Sequence, residues 1–190
     1  LLSSADFKIT CLRFATACGF SSRLRLDLVL NDFVASALVN NKIEILSNGS
    51  PWRPLIHVKD MARAFDWALN RKVNSNKFLT VNVGSNQWNY QIKELAEAVK
   101  KSFPTTEIFI NENAPPDKRS YKVDFSLFKS IAIGYEPKVT LNKAVEDIAS
   151  GLKNIGYSNV KFRESNMMRL NILRSHIDSK RLDKNLSWKQ

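Results

Sequence analysis

Two cysteines, two histidines and no long hydrophobic run limit what this 190-residue chain can be. Cys11 and Cys18 are too few for a disulfide scaffold, and no Cys/His cluster has zinc spacing. A disulfide-stapled secreted module and a zinc-built module are therefore excluded. The two thiols read as buried, free and reduced, which implies the cytoplasm. No stretch approaches the roughly 18 uncharged apolar residues that a membrane span needs. Leu1 to Asp6 hold neither a basic n-region nor an apolar h-region, and no methionine leads them. A chain that begins mid-protein or has been processed is expected. Internal repeats and low-complexity tracts are missing as well.

What remains is an ordinary globular composition, 44% hydrophobic and 25% charged, enough for one domain with a core or for part of a larger one. The net charge is +11, and more than half of the excess falls after residue 152. A basic tail can meet nucleic acid or an acidic surface. However, no aromatic-interleaved basic motif, zinc finger or RNP-like segment accompanies it. A solvated basic face is expected, not a nucleic-acid partner.

The apolar pattern alternates strands and helices. Lys8–Phe14 reads as a strand, and its near-continuous apolar run suggests a parallel sheet covered on both faces. Leu24–Val39 has helical spacing, with Leu26, Val29, Leu30, Phe33, Val34, Ala37 and Leu38 on one side. Ile43–Leu46 is a short strand. Lys59–Leu69 is a helix, Phe78–Val83 a second buried-type strand, and Tyr90–Phe103 a helix stopped by Pro104. Glu107–Ile110, Ser126–Ala132 and Leu141–Leu152 follow as strand, helix and helix. Met167–Arg174 looks like one more basic amphipathic helix, docked on the domain or on a partner.

The stretch with most chemistry is Ser47-Asn48-Gly49-Ser50-Pro51-Trp52-Arg53-Pro54-Leu55-Ile56-His57-Val58-Lys59-Asp60. Asn-Gly and Ser-Pro make a turn, because Gly49 tolerates positive φ and Pro51 fixes its own. Arg53 follows that turn, and its planar fork suits a phosphate or carboxylate. Leu55–Val58 reads as a strand, and Asp60 sits where an acid favours a helix start. His57 lies inside the strand with no acid or nucleophile at a telling spacing, so it reads as a packed, hydrogen-bonded histidine and not a base.

Gly-x-x-x-Arg-x-x-Ile-His-Val-x-Asp resembles a block of the extended short-chain dehydrogenases/reductases, the NAD-dependent sugar-nucleotide epimerases and dehydratases. The resemblance implies that Arg53 contacts the diphosphate of a nucleotide sugar. Leu12-Arg13-Phe14-Ala15-Thr16-Ala17-Cys18-Gly19 stands where that family has Leu-Arg…Asn-x-Tyr-Gly, with Thr16 at the asparagine position. Thr16 is either a substrate hydrogen bond or a turn hydroxyl. Asn31, near the start of a helix that lines the family's nucleotide pocket, is either pocket-facing or solvent-facing. Asn82-Val83-Gly84 matches a third segment. Asn113-Ala114-Pro115-Pro116-Asp117-Lys118-Arg119 through Asp124 is similar to the family's Arg-x-Gly-Asp…Asp block. Ala114 replaces the usual arginine there, and Arg119 is expected to supply positive charge, with Asp117 on ribose or orienting Arg119. Gly134-Tyr135-Glu136-Pro137 echoes a family turn.

Two family motifs are missing. Gly-x-x-Gly-x-x-Gly would let a cofactor pyrophosphate approach a helix N-terminus. Tyr-x-x-x-Lys would supply the acid/base. No catalytic or cofactor-binding residue is therefore assigned, and NAD is expected to be bound mainly by a part of the protein not in this chain.

The resemblance implies an α/β fold: the last strands of a Rossmann-like parallel sheet plus a small substrate-binding region. Residues 1–156 correspond to the family's C-terminal half, and 157–190 form a basic helical extension. A nucleotide-sugar substrate and a homodimer of the complete protein are implied. A reductase or dehydrogenase of the same fold on another small substrate, and a non-catalytic binding protein with a basic tail, stay open.

Overall fold

The computed structural model describes residues 7–72, 77–114 and 119–189. Its strands form three small sheets. In the first, β1 (Ile9–Phe14) pairs in parallel with β5 (Phe78–Val83), with Ile9 opposite Phe78 and Phe14 opposite Val83. In the second, β4 (Trp52–His57) is central. It lies parallel to β2 (Thr16–Cys18) and antiparallel to β6 (Asn89–Gln91). In the third, β3 (Lys42–Ile45) runs parallel to β7 (Glu107–Ile110). The α/β class with parallel pairing agrees with the expectation from sequence.

The described residues form six helices, α1 (Val29–Asn40), α2 (Val58–Asn70), α3 (Ile92–Ser102), α4 (Ser126–Ile131), α5 (Leu141–Asn154) and α6 (Arg169–Asp178), of which α1 to α4 pack on the strands. Their apolar faces build two clusters. The larger joins α1, α3 and α5 through Leu30, Phe33, Val34, Leu95, Val99, Ile148 and Leu152. The smaller lies between α2, α4 and β5, around Trp67, Val81, Val83 and Phe128. Gly84 at the end of β5 belongs to this second packing: a Cβ there would sit 2.6 Å from the Phe125 ring, so the missing side chain makes room for the aromatic. Just before α4, Asp124 accepts both the amide (3.0 Å) and the hydroxyl (2.6 Å) of Ser126.

Four expectations need correction. The first helix starts at Val29, not Leu24. The amide of Leu26 donates to Met167 O (3.1 Å), so this backbone is committed to the C-terminal segment and not to a helical turn. Leu24 and Leu26 are buried, which gave them their helical-looking spacing. Tyr90 lies in β6, and α3 begins at Ile92, where Gln91 and Glu94 form a reciprocal capping box. β1 is not covered on both faces, because Cys11 and Arg13 are exposed. Cys11 is consequently an exposed thiol, and Cys18 alone is buried.

Residues 157–168 dock on the body. Phe162 is buried in the larger cluster, and Tyr157, Met167 and Met168 pack against it. α6 itself buries none of its residues. Among the described residues, no helix is long and apolar enough to cross a membrane.

Candidate functional site

Strand register sets the first part of the site. Thr16 lies opposite Leu55 in the β2–β4 pair, and Arg53 is two residues before Leu55. Side chains two apart on a strand share a face, so Thr16 and Arg53 project to the same side of the sheet.

A second segment is brought to that side by the start of β4. Arg53 Nη1 donates to Arg119 O (2.5 Å) and to Trp52 O (2.8 Å). The amide of Trp52 donates to Ser120 Oγ (3.0 Å), and the amide of Tyr121 donates to Trp52 O (3.3 Å). Lys122 Nζ lies 3.6 Å from the centre of the Trp52 ring, a cation–π contact. Four kinds of contact thus hold residues 119–122 against β4, across 66 positions of sequence.

The result is a cleft of about 710 Å³ in which Thr16, Arg53 and Arg119 share the lining, together with Ala114. Asp117 lies outside the described residues. Asn31 does not line this cleft. It is 2% exposed, its Oδ1 accepts the Gly19 amide (3.2 Å) and its Nδ2 donates to Arg25 O (3.0 Å). Its amide is used to fix the loop after β2, so neither the solvent-facing nor the cleft-facing reading describes it.

The same cleft carries further charged side chains, none of which a motif in the sequence marks. Asp27, Asp32 and Glu44 line the cleft, as does Arg163 from the C-terminal segment. Arg25 holds Asp27 through two bonds (2.7 and 3.1 Å), and this hydrogen bonding keeps the Asp27 carboxyl below the usual range. Hydrogen bonding from Lys42, with Nζ 2.5 Å from the carboxylate, lowers Glu44 likewise. Arg163 was legible only as one more basic residue of a tail; nothing in its neighbours marks it.

The cleft lining mixes three arginines with three carboxylates. Two guanidinium groups beside a threonine hydroxyl suit a phosphate or diphosphate. Among the described residues, no group of three histidine, cysteine, aspartate or glutamate side chains is placed to hold a metal ion. Nor does the β4–α2 junction fit a dinucleotide pyrophosphate. At the β4–α2 junction the Lys59 amide already donates to His57 Nδ1 (3.2 Å), and Asp60 and Asp147 stand nearby with like charge. No glycine-rich turn occupies that junction.

Fold and site together define a Rossmann-like α/β chain with an arginine-lined cleft at one side of its small sheet. Residues 2–84 match the model of the NAD dependent epimerase/dehydratase family, the family that the motifs around Arg53 resemble. UDP-glucuronic acid decarboxylase 3 of Arabidopsis thaliana is 33% identical over 129 residues, covering 66% of this chain and 36% of that protein. Two solved structures share the fold. MoeE5 in complex with UDP-glucuronic acid and NAD superposes with a TM-score of 0.64 at 19% identity, covering 78% of this chain and 48% of its own. UDP-N-acetylglucosamine 4-epimerase from Bacillus cereus gives a TM-score of 0.62 at 24% identity, covering 77% and 48%. The chain therefore spans about a third of the length of the plant relative and about half of the solved chains.

Proposed function

We propose that this chain supplies the nucleotide-sugar-binding part of an NAD-dependent epimerase/dehydratase-family enzyme, with Arg53 and Arg119 holding the diphosphate of a UDP-sugar and Thr16 beside them. The observation that carries the reading is the apposition of Arg53 and Arg119 on one cleft, reached from segments 66 residues apart. A diphosphate is held best by cations converging from different directions, and charge-assisted bonds to guanidinium are the strong ones. The plant relative is named for UDP-glucuronic acid, and MoeE5 was solved with UDP-glucuronic acid and NAD.

In this reading the described residues bind and orient substrate. The acid/base group and the seat of NAD belong to residues other than these, and the complete protein is a cytoplasmic homodimer. Isothermal titration of UDP into the chain tests it. Arg53→Ala should weaken UDP binding at least tenfold, about 1.4 kcal/mol. In the complete enzyme the same change should raise the KM for the nucleotide sugar by a similar factor. Unchanged affinity in the variant would remove Arg53 from the site.

A further inference from the structure

The C-terminal segment contributes a wall of the cleft. Burial of Phe162, the bond from the Leu26 amide to Met167 O (3.1 Å) and the bond from Asn40 Nδ2 to Val160 O (3.3 Å) fix residues 160–167 against α1. Arg163 and Met168 thereby reach the cleft that Arg53 and Arg119 also line.

Arg163 points its fork at carboxylates. Its Nη2 and Nε lie 2.9 and 3.0 Å from the two oxygens of Asp32, and its Nη1 lies 3.5 Å from Glu44 Oε2. Asp32 is well enclosed, with 16% of its side chain exposed, while Arg163 is 42% exposed. The other acids on this wall have cations of their own: Arg25 on Asp27 and Lys42 on Glu44. Without Arg163, Asp32 would present a negative charge to a cleft that is read as an anion site. Like charges across a space of this size repel by amounts that a water-filled cleft only partly screens.

We infer that Arg163 is a positioning residue of the nucleotide cleft: by pairing with Asp32 and Glu44 it masks an acidic wall that would otherwise repel the diphosphate held by Arg53 and Arg119. The inference rests on the assignment of this cleft to a nucleoside diphosphate. It makes the segment after residue 156 part of the site, not an appendage.

The test is UDP titration by calorimetry against the wild-type chain, Arg163→Met, Arg163→Met/Asp32→Asn, Asp32→Asn and Arg53→Ala at low ionic strength. Arg163→Met should weaken binding about fivefold, and the loss should shrink at high salt. Adding Asp32→Asn should restore affinity to within about twofold, because it removes the exposed charge. A direct contact between Arg163 and phosphate, or a merely structural latch, would not be rescued in this way. Wild-type affinity in Arg163→Met, or an unrescued loss in the double variant, overturns the inference. If Arg163→Met unfolds by circular dichroism, Asp32→Asn alone decides: it should tighten UDP binding, and unchanged or weaker binding overturns the proposal. Arg53→Ala separates the two levels. Loss there without loss at Arg163 removes only this inference. No effect there, or no UDP binding by the wild-type chain, removes the cleft assignment as well.

Discussion

His57 and Asp147, 90 residues apart, meet with Nε2 3.2 Å from Oδ2, and the histidine side chain is fully enclosed. His57 Nδ1 accepts the Lys59 amide (3.2 Å), so Nε2 carries the proton and donates it to the aspartate. Asp147 also accepts Lys59 Nζ (2.6 Å) and the Phe20 amide (3.0 Å). One carboxylate on α5 thus ties together the end of β4, the start of α2 and the loop after β2. The packed histidine expected from sequence is what the structure contains, but its partner was not legible.

This network predicts acid lability. Burial pushes the His57 pKa down, against the pull of Asp147, so the folded protein binds that proton more weakly than the unfolded chain does. Stability is therefore full above the unfolded value near 6.5 and is lost as pH falls below it, by at most about 1.4 kcal/mol per pH unit. Burial also raises Asp147, but Lys59, the Phe20 amide and His57 outweigh it, so its carboxyl is lowered and adds a second loss only at more acid pH. Thermal melts between pH 7.5 and 5 should show a falling midpoint in the wild type and a flatter line in His57→Gln. Parallel lines would refute the assignment.

Gly19 supports the same histidine. Its φ is +110°, and a Cβ there would sit 2.5 Å from His57 Nε2. Gly19→Ala combines backbone strain with a clash against a ring that cannot retreat, and should cost about 3 kcal/mol. Denaturant titration checks this; a loss under 1 kcal/mol would mean that the loop relaxes freely.

Asp60 is a buried pin and more than a helix-start residue. Its two oxygens accept the amides of Lys138 (3.0 Å) and Val139 (3.1 Å), and Arg63 Nε stands 3.7 Å away. Asp60→Asn turns one acceptor into a donor facing an N–H. The expected loss is about 2 kcal/mol in equilibrium unfolding, with the segment before α5 exchanging its amide hydrogens faster.

Trp52 holds residues 119–122 in place through its backbone and its ring. Trp52→Ala removes the ring contact with Lys122 while keeping the strand. UDP binding should weaken about threefold as the Arg119 segment loosens, with little change in melting temperature. Wild-type affinity would show that the ring has no part in placing Arg119.

The β1–β5 pair predicts self-association. Among the described residues these two strands pair with no strand but each other, and Phe7 and Phe78 near their starts are 55% and 43% exposed. An open, apolar parallel edge is a template for further pairing. Light scattering should find species heavier than the 21.7 kDa monomer, or a chain that aggregates on concentration. A sharp, reversible melt of a monomer would count against this.

Local pattern by itself determined the element types. Period-two and period-3.6 spacing, Pro104 after α3 and the turn at Asn48–Gly49 sufficed for the longer strands and helices but not for the three-residue strands β2 and β6, and the block from Gly49 to Asp60 pointed to the family. Tertiary contact decided the rest. Leu26 is held out of helix because its amide serves Met167, and Asn31 is enclosed because the Gly19 loop needs its amide. Arg163 lines the cleft because Phe162, its neighbour, packs into the larger core. The reason is common to all three. A residue's spacing along the chain sets which face it can share with its near neighbours, but a charge or an amide finds its partner through packing across tens of residues, and no local pattern encodes that distance.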